Sequence, residues 1–197
     1  MKKDNYIIKS LNGMAYGFFC SLIIGTIFKQ IGNFANISQL VAWGEVATYL
    51  MGPAIGAGIA YAIDAKGLNL IAAVIAGTIG AGTFNGNTAT TGNPIAAFVA
   101  VIIAVEVTRL VQGKTPVDIL LVPFTSIIVA GIVTIFIGPY ITKLIVWIGD
   151  LINQGVNMQP FFMSIVVAVL MGMALTAPIS SAAIGVMLGL NGLAAGA

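Results

Sequence analysis

The chain has no histidine, a single cysteine, and only eight basic and six acidic side chains in 197 residues. Without histidine there is no imidazole acid-base chemistry and no His-ligated zinc. Cys20 alone builds neither a disulfide framework nor a thiolate cluster. A net charge of +2 is too small to hold nucleic acid by its phosphates. There is no GxxxxGK[ST] phosphate loop and no strand-borne GxGxxG, so no nucleotide or other cofactor is expected. Ser180 and Ser181 have no histidine or lysine near them in sequence to activate a hydroxyl, so the chain is not expected to be an enzyme. Charged residues make up 7% of the chain, against about 25% in an ordinary soluble domain, too few for a hydrated shell.

What is present is apolar: 59% hydrophobic residues and a mean hydropathy of +1.06. The natural solvent is therefore a lipid bilayer. Uncharged apolar stretches of about 20 residues, the length that crosses hydrocarbon, fall at 11–28, 46–63, 67–84, 94–111, 117–137 and 158–175. The alternation of a barrel is missing, so all six are predicted to be helices and the fold class all-α and polytopic. With the N-terminus inside, Lys2, Lys3, Lys9, Lys66, Arg109 and Lys114 fall on the cytoplasmic side, and Lys29 and Lys143 outside. That bias predicts a multi-pass protein of the cell membrane with a cytoplasmic N-terminus.

Two connections are not ordinary loops. Residues 140–155 place Ile141, Leu144, Ile145, Ile148, Leu151 and Ile152 at helical spacing among polar residues, and 31–43 repeats the pattern more weakly. Both are predicted to be amphipathic helices lying in the interface.

"GPAIGAGIA" at 52–60 is echoed by "APISSAAIG" at 177–185, aligning Pro53 with Pro178. Proline removes a backbone donor, which a membrane tolerates where the backbone is buried in protein or lines a wet cavity. Matching Pro- and Gly-broken segments in two halves point to a transporter's binding region. The echo suggests that a single transmembrane domain, 1–197, holds repeat units 11–113 and 117–197, the second incomplete and belonging to a longer transporter or completed by a partner chain. Small residues four apart, Gly52 with Gly56 and Ala73 with Gly77 and Ala81, predict close helix packing.

"GTFNGNTATTGNP", residues 82–94, interrupts these runs with three Asn, four Thr and no charge. Either an outer loop or a re-entrant hairpin fits between the helices that flank it. The amides and hydroxyls of Asn85, Asn87, Thr88, Thr90, Thr91 and Asn93 both donate and accept, which suits a small neutral polyhydroxylated solute. Pro178, Ser180 and Ser181 are the expected second lining. Glu106 lies three residues before Arg109, which points to a structural ion pair or to a solute or coupling-proton site. A membrane regulator or sensor that transports nothing, and an ion-coupled carrier using Glu106, remain alternatives to a permease.

Taken in order, "GAGTFNGNTATTGNP", "VTRLVQGKTPVDILLVP" and "LTAPISSAAIGVMLGLNG" resemble the membrane IIC-type subunits of the sugar phosphotransferase system, in the group of perfringolysin regulator-like proteins. The resemblance covers the chain from about residue 10 onward. It implies a homodimeric permease for a carbohydrate-like solute, acting with soluble phosphotransferase subunits that phosphorylate the sugar. The sequence departs from that pattern in having no phosphorylatable histidine and no GITE-type motif.

Overall fold

The computed structural model describes residues 3–82, 84–85, 88–89 and 92–141, with positions 143, 144, 147, 165 and 169. The chain divides into two compact units after Gly138, and the helices below belong to the first. The expected span 158–175, the segment 140–155 and the second half of the repeat, with Pro178, Ser180 and Ser181, lie largely or wholly outside the described residues.

The first helix is longer than one crossing requires. α1, Lys3–Phe18, continues through a π-helical segment, Phe19–Ile23, into α2, Ile24–Ala35. The hydroxyls of Ser21 and Thr26 turn back onto the carbonyls of Gly17 and Leu22, a pattern that loosens or bends the helical ladder. Asn36, in left-handed conformation with φ 54°, ends α2, and α3, Ser38–Tyr49, runs back along it. Residues 31–43 are thus two helix ends around a turn, where the sequence predicts one interfacial helix. Apolar side chains on both sides of a tight turn gave the same periodicity as a single rod.

The second expected span is likewise divided. α3 stops at Leu50 and α4 occupies Met51–Ala62. Pro53 stands in the first turn of α4, where an N–H has no intrahelical partner, so it begins a helix and does not kink one. α5, Leu68–Ala81, α6, Pro94–Val111, and α7, Asp118–Phe136, complete the unit. Between α5 and α6 a two-residue antiparallel ladder pairs Phe84 with Ala89 and Asn85 with Thr88. By length and composition, three described helical stretches can cross a membrane: Tyr6–Ala35, Pro94–Val111 and Asp118–Phe136.

Lipid supplies no hydrophobic drive between helices, so close backbone approach does the packing. Gly13 and Gly17 of α1 abut Gly58 and Ala54 of α4, and Gly52 and Gly56 of α4 abut Gly77 and Ala73 of α5. The last two contacts are the small-residue pairs expected from sequence. α7 joins α5 through Ser126, whose hydroxyl donates to the Ala72 carbonyl at 3.0 Å.

Candidate functional site: a polar loop on a charge-anchored bundle

Polar contacts collect at one end of the bundle. The Tyr6 hydroxyl of α1 donates to the Glu106 carboxylate of α6 at 2.6 Å. Arg109 pairs with the same Glu106 oxygen at 2.8 Å and donates to the Ile63 carbonyl at the end of α4 at 2.6 Å. Lys9 meets Asp64 at 3.8 Å, and the Asn69 amide donates to Gln112 at 2.5 Å. Asp118 accepts from the Thr115 hydroxyl and from the Gly113 and Thr115 backbone, holding the turn into α7. Lys9, Arg109 and the loop carrying Lys66 therefore share this end of the bundle.

Glu106 thus appears as the ion pair, tied by two partners from α1 and α6. Among the described residues it is the polar bridge between those helices that sequence reading missed, because nothing local marks a contact across 100 positions. We predict that Tyr6→Phe lowers stability in detergent by about 1 kcal/mol or less, since the pair is partly exposed and solvent screens it. An unchanged unfolding midpoint would show that water replaces this hydroxyl without cost.

The polar loop leaves the opposite end. Gly82, with φ 66°, ends α5, and Gly92, with φ 74°, comes so close to Ala81 that any side chain there would strike its carbonyl. The Asn93 N–H donates to the Ala81 carbonyl at 2.8 Å, closing the neck. The Asn93 side-chain oxygen accepts from the N–H groups of Ile95 and Ala96 at 3.0 and 3.1 Å, capping α6 with Pro94 at its first position. Asn93 therefore holds the loop in place through that oxygen. Asn85 is the register partner of Thr88 in the ladder, while Asn87, Thr90 and Thr91 lie outside the described residues.

Helix rise gives the loop an approximate depth. At about 1.5 Å per residue, Lys9 and Lys29 stand about 30 Å apart on one nearly continuous helix, the thickness of a hydrocarbon core. The Gly13–Gly58, Gly17–Ala54, Gly56–Ala73 and Gly52–Gly77 contacts carry that scale across α4 to α5. They bring Ala81 level with about residue 23 of the first helix, about 9 Å short of Lys29 at that rise. No charged residue occurs between Lys66 and Glu106.

Apolar helices long enough to cross a bilayer, a cluster of charged and polar contacts at one end and an uncharged polar loop toward the other define a helical membrane protein. A family model described as "Phosphotransferase system, EIIC" matches residues 8–197. The chain belongs to that family: it is a phosphotransferase EIIC-type membrane subunit, a permease-type transporter component that works with other phosphotransferase components. No curated protein and no solved structure matches it.

Proposed function

We propose that the chain binds and translocates a small neutral, carbohydrate-like solute, with the loop at 85–94 dipping into the outer half of the bilayer as a re-entrant element. The observation that carries this reading is the early exit of α5, about 9 Å before the level of Lys29 at the usual helical rise. A loop starting at that depth must satisfy its backbone internally, and the closed neck and the ladder at 84–89 serve that need. Asn85, Asn87, Thr88, Thr90 and Thr91 then offer amides and hydroxyls to replace a sugar's water, with Pro178, Ser180 and Ser181 as the opposing wall. Glu106 is a structural anchor in this reading, because Tyr6 and Arg109 already occupy it.

The chain performs no chemistry of its own here. Soluble phosphotransferase subunits act on the solute from the cytoplasm, on the side of Lys9, Lys66 and Arg109. The N-terminus is cytoplasmic, the membrane is the cell membrane, the working unit is a homodimer, and the subgroup is the perfringolysin regulator-like one. The test is uptake of labelled neutral monosaccharides and polyols into vesicles carrying the protein. Saturable accumulation or exchange of one of them is the expected result. A protein that binds none and moves none would instead be a regulator.

A further inference from the structure

The turn between α2 and α3 is closed by backbone alone. The N–H of Ile37 donates to the Gly32 carbonyl at 2.9 Å, and that of Asn36 to the Asn33 carbonyl at 3.4 Å. Gly25 against Gly44 and Gly32 against Val41 bring the two helices together. The polar side chains at this turn are therefore not what folds it.

Those side chains collect in one place. A groove of about 410 Å³ is lined by Asn33, Asn36, Ser38 and Glu45, with Ile37 and Val41 as its apolar part. Among the described residues, none of the four polar side chains makes a hydrogen bond or ion pair. The other acids whose side chains are described are all engaged: Asp64 with Lys9, Glu106 with Tyr6 and Arg109, Asp118 with Thr115 and the turn backbone. Glu45, half-buried, has only the groove before it.

This set of groups selects by charge. The Glu45 carboxylate repels an anion, and one carboxylate with a lysine close by makes a poor cation site. Lys29 lies one turn before Asn33, and its side chain passes Gly44, the neighbour of Glu45. A net-neutral molecule rich in hydroxyls fits instead. Its hydroxyls donate to Glu45 and both donate to and accept from the two amides and Ser38, while its C–H face rests on Ile37 and Val41. The volume lies within the range of small-molecule sites, about 300–1,000 Å³.

We propose that the α2–α3 groove is a second, weaker site for a neutral polyhydroxylated molecule, separate from the 85–94 loop. It rests on the transport reading in one respect, that the groove collects the same class of solute on the side where the loop leaves the bundle. Because the groove is open, its affinity is millimolar.

Trp43 follows the lining residue Ala42 and is the one tryptophan left in a Trp147→Phe protein, so its emission reports the groove. The full chain in detergent is titrated with neutral hexoses and alditols. At least one of them is expected to give a saturable change in the millimolar range, with half-saturation raised at least about tenfold by Asn33→Ala with Glu45→Gln. Neither side chain holds the fold, and an unchanged unfolding midpoint checks that. Ser38→Ala is the milder second variant, with an expected increase of about fivefold. The response is expected to persist unchanged when Asn87, Thr90 and Thr91 are replaced together by alanine. No saturable response to any of these probes, unaltered half-saturation in both groove variants, or loss of the response in the loop variant overturns the proposal. Saturation by sodium chloride alone puts an ion in the groove and overturns it as well. Failure of the transport reading has a different signature: no uptake and no loop-dependent calorimetric binding, with the Trp43 response intact.

Discussion

Leucine at Gly17 should prevent the first unit from assembling, while leucine at Gly131 should leave it intact. A Cβ on Gly17 meets the carbonyl of Ala54 and the backbone nitrogen of Ile55, and a main chain cannot rotate aside as a side chain can. Overpacking a core that can adjust costs about 1–3 kcal/mol. Here the α1–α4 seam must open, so the expected loss exceeds about 3 kcal/mol, which few membrane helix contacts can offset. Gly131 has nothing within 4 Å of its Cβ position, which makes it the matched control on α7. Denaturant titration in detergent, with size-exclusion profiles, reads both. Equal stability of the two variants would mean that the close approach of α1 and α4 is not what holds the bundle.

The second large effect is on solute affinity. Replacing Asn87, Thr90 and Thr91 together with alanine should abolish binding of the transported solute and leave the unfolding midpoint within error. Each lost hydrogen bond is worth about 1 kcal/mol, so three remove about 3 kcal/mol. With every 1.4 kcal/mol a factor of ten, affinity falls more than about a hundredfold. Calorimetry on folded protein is the measurement. Retained affinity in a folded triple variant removes these residues from the solute site. Asn93 is a less clean probe of the same question, because its alanine variant also loses the cap of α6, worth about 1 kcal/mol.

Class and packing chemistry were legible in the sequence because composition and small-residue spacing report them directly. The scarcity of charge implied a bilayer. Residues 94–111 are α6 as read, and 117–137 contains α7, Asp118–Phe136. Gly52, Gly56, Ala73 and Gly77 meet because the spacing that marks a close helix face needs no long-range information. Helix interruptions were hidden. An all-apolar run such as 46–63 has no polar face to define its phase, so the break at Leu50 left no trace, and Pro53 drew attention to the turn after it. Asn36 was the available signal for the turn in 31–43, since asparagine tolerates left-handed backbone. The Asn93–Pro94 pair is equally readable as a cap followed by a first-turn proline, the arrangement its side-chain oxygen makes with Ile95 and Ala96. Contacts such as Tyr6 with Glu106, and Asn69 with Gln112, depend on how α1, α5 and α6 come together, which no local pattern encodes.

The depth of the 82–93 loop carries the functional account, and cysteine accessibility measures it most directly. In a Cys20→Ser protein reconstituted in vesicles, single cysteines at 85, 87 and 90 are labelled with a bulky membrane-impermeant maleimide supplied on both sides, with exposed position 36 at the α2–α3 turn as the open reference. The account predicts labelling at least about tenfold slower at the three loop positions than at 36, because hydrocarbon depth and protein walls both exclude the reagent. Labelling as fast at 85, 87 and 90 as at 36 would put the loop in bulk water and contradict it.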